Sequence, residues 1–334
     1  TLDAPVVVAD TSDGVVTITT DGPGTVDGEV TFTGTIDELT GETVGLALVT
    51  GTGGAVIEGV IGPARPPASF SASTNALGSA NAERTRLEAD VSVDGPFTVT
   101  GSGVLVLGAS SGAAVQVATT SAGDISIAGP IELNQDATLT TGVGVAGDVT
   151  LSGAIDGAAS LSVVAGDGSV SFAGAIGSTT EPTELSAEGF DIDFGGPIRV
   201  DGPAGNAVRL TNAGTLTLPA SAPLELGVDL LQNGTGPVLL GADLITSAQP
   251  VSFASAVELI GPVSVLTGGG GGDVVFSSAV DGAFELDVVS GVGTTSFTGP
   301  IGDATPPAGI SAVSTVAVSF ADTVTVGVGG LDVS

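Results

Sequence analysis

Acidic side chains are the groups of this sequence with the greatest capacity for chemistry, because it contains no His, Cys, Lys or Tyr. Those missing types supply most bases, nucleophiles and Schiff-base formers. One carboxylate pair, Asp191 and Asp193, has the alternate spacing that places both on one face of a strand, as glycoside hydrolysis would need. Sugar clefts also use aromatic platforms, and the sequence has no Trp or Tyr. We therefore predict a solvated strand face and no catalytic site.

Five further aspartates could hold a metal ion. Asp37, Asp156 and Asp281 occupy the same corner of three repeated blocks, and Asp148 and Asp273 directly precede two of those blocks. Carboxylate oxygens in tight turns are what Ca²⁺ requires, so these five are the candidate calcium ligands and calcium is the possible cofactor. Asp-Gly is also common turn chemistry. We favour the turn interpretation and keep calcium as the alternative.

The charge balance limits the partners of the chain. The sequence has 37 acidic residues against 5 basic ones, all Arg, for a net charge of −32. Such a surface repels nucleic acid and anionic lipid, so we predict no nucleic-acid partner. No apolar run is long enough for a membrane span, which predicts no membrane insertion. The absence of Met, Cys, Trp, Tyr and His leaves few oxidisable side chains and favours an extracellular or cell-surface location.

A strand motif that returns at nearly fixed spacing must position these side chains. The segment VTLSGAIDG at 149–157 recurs as VSFAGAIG at 170–177, and once more as IDFGGPI at 192–198. Apolar residues alternate with small or polar ones in each copy, which indicates strands. No helical pattern separates the copies. We therefore expect each strand to lie beside the previous one, about 4.8 Å away.

A longer repeat contains this motif. Related blocks begin near residues 30, 149 and 274. We predict an all-β fold, a parallel β-helix (β-solenoid) of about 21–24-residue coils grouped in repeats of roughly 120 residues. Residues 1–334 are predicted to form a single continuous β-solenoid within a longer array, with a protruding loop at 72–86. Tandem immunoglobulin-like sandwiches are the competing fold, but the short period within each block argues against them.

The blocks VTLSGAIDGAASLSVVAGDGSVSFAGAIG and VVFSSAVDGAFELDVVSGVGTTSFTGPIG resemble the repeat arrays of secreted bacterial surface proteins. These are the filamentous-haemagglutinin-like and autotransporter-passenger-like β-helix proteins. The resemblance implies a right-handed parallel β-helix on the cell exterior that serves as a fibre, stalk or adhesin. This sequence departs from that family by its acidity and its scarcity of Asn. We expect Thr, Ser and Gly to take the inward positions that Asn ladders fill there.

The sequence thus predicts a non-enzymatic extracellular structural protein that forms a filament, stalk or surface layer by stacking of rungs. Its expected partner is itself, through head-to-tail or lateral assembly, because open solenoid ends invite another strand. The alternative is an adhesin that binds a sugar or host surface, such as an extracellular polysaccharide, through loops on the solenoid. A polysaccharide-cleaving β-helix enzyme is the third interpretation.

Overall fold

A computed structural model gives the fold of the chain. It describes residues 6–8, 14–20, 29–40, 43–51, 53–74, 84–142, 144 and 146–334. The residues in these ranges form β-strands and no helices. The chain divides between Ser171 and Phe172 into two compact units.

The strands of the first unit, with β19 at the division, are β1 (Val6–Val8), β2 (Val15–Thr19), β3 (Val30–Phe32), β4 (Ile36–Glu38), β5 (Gly45–Gly51), β6 (Ala55–Ile57), β7 (Phe70–Thr74), β8 (Arg84–Leu87), β9 (Val91–Val93), β10 (Phe97–Thr100), β11 (Val104–Leu107), β12 (Val115–Thr119), β13 (Ile125–Ile127), β14 (Ile131–Leu133), β15 (Ala137–Thr140), β16 (Val149–Leu151), β17 (Ile155–Asp156), β18 (Ser160–Val164) and β19 (Val170–Phe172).

The strands of the second unit are β20 (Glu184–Gly189), β21 (Ile192–Phe194), β22 (Ile198–Val200), β23 (Ala207–Asn212), β24 (Leu216–Leu218), β25 (Leu224–Leu226), β26 (Asp229–Gln232), β27 (Val238–Leu240), β28 (Leu244–Thr246), β29 (Val251–Phe253), β30 (Val257–Leu259), β31 (Val263–Leu266), β32 (Val274–Phe276), β33 (Val280–Asp281), β34 (Glu285–Gly291), β35 (Thr294–Phe297), β36 (Gly309–Ser314), β37 (Ala317–Phe320) and β38 (Gly330–Val333).

Strands of the first unit pair with their counterparts one coil away. Three stacks result, in the orders β2-β5-β7-β10-β13-β16, β3-β6-β8-β11-β14-β17 and β9-β12-β15-β18, with β1 beside β4. The registered pairs are parallel, as in β13 against β16, where Ile125 lies beside Val149. This is the topology of a parallel β-solenoid.

The second unit has the same topology. Its stacks are β20-β23-β26-β29-β32-β35-β37, β21-β24-β27-β30-β33 and β22-β25-β28-β31-β34-β36-β38. We call these the first, second and third sheets of the second unit. Each unit is therefore a parallel β-solenoid, and successive coils are about 23 residues apart.

The core of each unit is built from the inward side of these strands. Inward and outward positions alternate, as in β16, where Val149 and Leu151 are buried and Thr150 between them is not. Like residues stack from coil to coil. Phe70 lies on Phe97 in the first unit, with ring centroids 5.0 Å apart. In the second unit the stack is longer and its members are Phe253, Phe276, Phe297 and Phe320, at centroid separations of 5.0–5.4 Å.

A glycine in the coil motif allows successive coils to come close together. A Cβ atom built on Gly153 would lie 2.3 Å from the carbonyl oxygen of Gly129 in the neighbouring coil. Real Cβ contacts are essentially never that short, so a side chain here would push the coils apart. Gly157 at the following corner has a φ of +130°, which L side chains rarely adopt.

The predicted fold class is confirmed. The Val149 N–H donates to the carbonyl of Ser169, which directly precedes the recurring segment 170–177, at 2.9 Å. Coil length varies more than predicted. Val238 is in register with Val257 in a short coil, whereas Ala55 is in register with Thr85 in a much longer one.

Both ends of the predicted protruding loop at 72–86 lie in strands, since residues 72–74 belong to β7 and residues 84–86 to β8. Residues 75–83 of that loop lie outside the described residues.

Candidate functional site

Two of the candidate calcium ligands bind backbone amides. Oδ1 of Asp37 accepts hydrogen bonds from the N–H groups of Ala64 and Arg65, at 3.0 and 2.9 Å. Oδ1 of Asp281 does the same for the residues after the third block, Ala304 and Thr305, at 2.9 and 3.0 Å. Each aspartate thus fastens its corner to the proline-bearing connection one coil later.

Asp156 occupies the same corner in the second block. It ends β17 and lies in register with Glu132 of β14. The sequence predicted that Asp37, Asp156 and Asp281 are equivalent, and the structure places all three in the short strand that leads into the corner.

The two aspartates that precede the blocks also join neighbouring coils. Oδ1 of Asp148 accepts the Ser169 N–H at 2.8 Å, and the Asp148 N–H donates to Oδ1 of Asp124 at 3.0 Å. Oδ1 of Asp273 accepts both the N–H and the hydroxyl of Thr294, at 2.7 and 2.8 Å. The hydrogen bond from the Thr294 N–H lowers the pKa of Asp273 most, and the one from the Thr294 hydroxyl lowers it further. Burial has a smaller, opposite effect on this pKa.

We call such an aspartate a corner clamp, meaning that its Oδ1 accepts a backbone N–H from the neighbouring coil. Clamps in the described ranges, with their donors, include Asp37 (Ala64 and Arg65), Asp90 (Gln116), Asp124 (Asp148), Asp136 (Ser160), Asp148 (Ser169), Asp191 (Thr215), Asp243 (Ser264), Asp273 (Thr294) and Asp281 (Ala304 and Thr305). Donor and acceptor are 21–28 residues apart. That spacing is the one signal by which the sequence could have revealed them.

The clamps explain why aspartate is so frequent at the corners. Each needs a single carboxylate, whereas Ca²⁺ takes about six to eight oxygen ligands. Within the part of the chain that the structure describes, no three acidic side chains converge as a metal site requires. Calcium binding at Asp37, Asp148, Asp156, Asp273 and Asp281 stays a prediction.

The predicted carboxylate pair is divided between two roles. Asp191 is a clamp, since its Oδ1 accepts the Thr215 N–H at 2.6 Å. Asp193 lies two positions further on, in β21, and its side chain is exposed. One member of the pair is thus committed to the backbone of the next coil.

Polar side chains also form hydrogen bonds in the interior. In the first unit the hydroxyls of Thr119 and Thr141 donate to the carbonyls of Gly123 and Gly147, at 2.5 and 2.9 Å. These are the inward threonines that the sequence led us to expect. Both threonines are buried, and each hydroxyl donates to the backbone of its own coil.

The second unit adds an interior amide ladder that the sequence analysis missed. Nε2 of Gln232 donates to Oδ1 of Asn212 at 2.8 Å, and Oε1 of Gln232 accepts the Ser255 N–H and hydroxyl, both at 3.2 Å. Nδ2 of Asn212 donates to the carbonyl of Gly214 at 2.7 Å. Asn212 and Gln232 are 1% and 0% exposed. We call Asn212, Gln232 and Ser255 the amide ladder.

An open groove lies on the outside of the second unit, at the third sheet. It has a volume of about 540 Å³, and its lining includes Glu181, Asp201, Glu225 and Ile245. Arg199 donates to both carboxylate oxygens of Glu225, at 2.8 and 3.3 Å, and this contact lowers the pKa of Glu225. Both side chains are about half exposed, so the pair contributes little to stability. The groove presents an apolar side chain among carboxylates.

No known protein family, curated protein or solved structure matches this chain. The described residues contain no helix that could cross a membrane.

Proposed function

We propose that this protein is a non-enzymatic structural protein of the cell exterior, a fibre, stalk or surface layer built by stacking of β-solenoid rungs. The observation that carries the proposal is the use made of its carboxylates. The sequence offers acidic side chains as its main chemical groups, and among the described residues the corner clamps engage at least nine of them with the backbone of neighbouring coils. Those side chains hold a stack of coils together.

Three further features support this proposal. Stacked Phe rings and the amide ladder repeat coil by coil in the core, as is expected of a protein that functions as an extended stack of coils. The absence of Cys, Met, Trp, Tyr and His suits exposure to oxidants outside the cell. The repeated blocks also resemble those of secreted bacterial β-helix fibres, so we place this protein with such surface fibres as part of the proposal.

Electron microscopy of the purified chain tests the proposal. We expect rods of uniform width, and end-to-end or side-by-side assembly as concentration rises, with light scattering to follow that growth. Because the net charge is −32, assembly should increase with added NaCl, which screens repulsion between copies. Globular particles that remain monodisperse at high concentration and high salt would contradict the structural role.

A further inference from the structure

The outer face of the third sheet carries a continuous apolar column. Registered outward positions on four successive strands are Ile245 of β28, Leu266 of β31, Val289 of β34 and Val313 of β36. Ile245 is 46% exposed and the other three are half-buried. We call these four residues the outer apolar column.

The other two sheets of the second unit have no such column. On the first sheet the registered outward positions alternate between apolar and polar types, as Leu231, Ser252, Val275 and Ser296. On the second sheet they run Thr217, Leu239, Glu258 and Asp281. Among these three columns of the second unit, only the one on the third sheet has four consecutive apolar residues. These residues point outward, so they are not part of the solenoid core.

Carboxylates border the outer apolar column. Two positions before it along the strands runs a registered column of Ser264, Asp287 and Ser311, which continues to Asp332 on β38, one strand beyond the last apolar residue. Asp287 and Asp332 are exposed, and with Glu285 they line a second groove of about 240 Å³. The groove containing Glu181, Asp201 and Glu225 lies at the other end of the column, around Ile245.

The spacing of the column fits a helix laid along it. Successive strands of a sheet are about 4.8 Å apart, so the column spans about 14 Å. Apolar residues on one face of an α-helix recur each turn, about every 5.4 Å, and three turns span about 16 Å. An extended strand laid along the column repeats its side chains about every 6.8 Å, so it misses the two middle residues of the column.

From these observations we propose that the outer apolar column is the docking surface for an amphipathic helix of another protein, with basic residues beside its apolar stripe. The acidic border selects the basic residues, and a second copy docked through this same face would set one acidic border against another. Such docking is additional to the structural role and does not depend on it.

A designed peptide tests the proposal on the full chain of residues 1–334. The probe is a fluorescein-labelled 18-residue helix with Leu at i, i+3, i+4 and i+7 spacing and Lys on the flanks, titrated by fluorescence anisotropy. The control peptide has the same composition in scrambled order. We expect the amphipathic peptide to bind at least about tenfold more tightly than the scrambled one, because only it presents an apolar stripe.

Two matched double variants locate the site. Leu266→Ser with Val289→Ser should weaken binding by about tenfold or more, whereas Leu231→Ser with Val275→Ser, the same changes on the first sheet, should leave it unchanged. Urea midpoints of the two variants check that both are folded.

A second pair of variants covers the case in which the first variant does not fold. Asp287→Asn with Asp332→Asn should weaken binding about threefold to tenfold at low salt, because the acidic border is then lost. Asp193→Asn with Glu258→Gln, which removes two exposed carboxylates of the second sheet, should leave binding unchanged.

Several results would overturn the proposal. Equal binding of the scrambled peptide, or equal loss in the first-sheet variant, would reduce the effect to general attraction between opposite charges. Absence of binding would refute it outright. A wild-type chain that dimerises through this face, and becomes monomeric in the Leu266→Ser, Val289→Ser variant, would make a second copy the occupant.

Discussion

The amide ladder and the corner clamps perform the same task in different surroundings. Both join one coil to the next through side-chain hydrogen bonds to the backbone. Gln232 does so in the core, with no exposed surface, whereas Asp273 does so at an exposed corner. A lost hydrogen bond in the core leaves unsatisfied polar groups that water cannot reach, while at a corner water replaces the lost partner. Burial, and not bond count, should therefore set the energetic importance of each.

Loss of an aromatic ring from the apolar stack of the core should have the largest effect on stability. Phe276 lies between Phe253 and Phe297, and Phe276→Ala should lower the free energy of unfolding by about 3–5 kcal/mol, because it leaves a cavity between two rings. Phe284→Ala is the matched control, since Phe284 is 40% exposed, and it should cost less than about 1 kcal/mol. Urea unfolding followed by circular dichroism measures both. Similar losses would mean that stacking in the core contributes little.

Removal of the central amide of the ladder should have the next largest effect. Gln232→Leu keeps most of the side-chain volume but leaves Oδ1 of Asn212 and the amide of Ser255 without their partner. We expect a loss of about 2–4 kcal/mol in the free energy of unfolding.

The control for this change is Gln116→Leu, in which the side chain is exposed on β12. It should change the free energy of unfolding by less than about 0.5 kcal/mol in the same urea experiment. A Gln232→Leu protein as stable as the wild type would show that burial does not make the amide ladder more stabilising than a corner clamp.

A single corner clamp should contribute less, and its contribution should depend on pH. The pKa of Asp273 is lowered in the folded protein, so the ionised clamp stabilises the fold above the unfolded pKa of about 3.9. That contribution is lost as pH falls through the lower folded pKa. Asp273→Asn keeps an acceptor oxygen but no charge, and we expect it to cost about 0.5 kcal/mol at pH 6 and progressively less as the pH falls below about 3.9.

Comparison with Asp193→Asn removes the general effect of charge, since Asp193 is exposed and is not one of the clamps. Protonation also relieves repulsion among the 37 acidic residues, so only the difference between the two variants is informative. A difference that persists unchanged at low pH would contradict the assignment of the lowered pKa to this clamp.

Calcium should have the smallest specific effect. Because Oδ1 of Asp37 and of Asp281 already accepts two backbone hydrogen bonds, we expect CaCl2 to raise the melting temperature no more than MgCl2 at equal concentration. Scanning calorimetry with EDTA as the reference measures this. A much larger rise with calcium, abolished by Asp281→Asn, would show that the corners bind the ion.

Much of the fold could be predicted from the sequence, because alternation and recurrence are local properties of the chain. The alternation in 149–157 decides which side chains point inward, and its return at 170–177 predicts stacked parallel strands. The aspartates at 37, 156 and 281 could likewise be placed at equivalent corners. The partners of the corner clamps could not be identified from the sequence, since each clamp accepts a backbone N–H, and every residue type except proline carries one.

The remaining features were decided by register between coils. Coil length differs along the chain, so sequence spacing does not indicate which outward residue lies above which. Ile245, Leu266, Val289 and Val313 become one column only because the turns between them bring their strands into alignment. Gln232 meets Asn212 for the same reason. The sequence by itself determined the strands and their inward faces, and the tertiary structure decided the columns, because turn geometry sets the register of neighbouring strands.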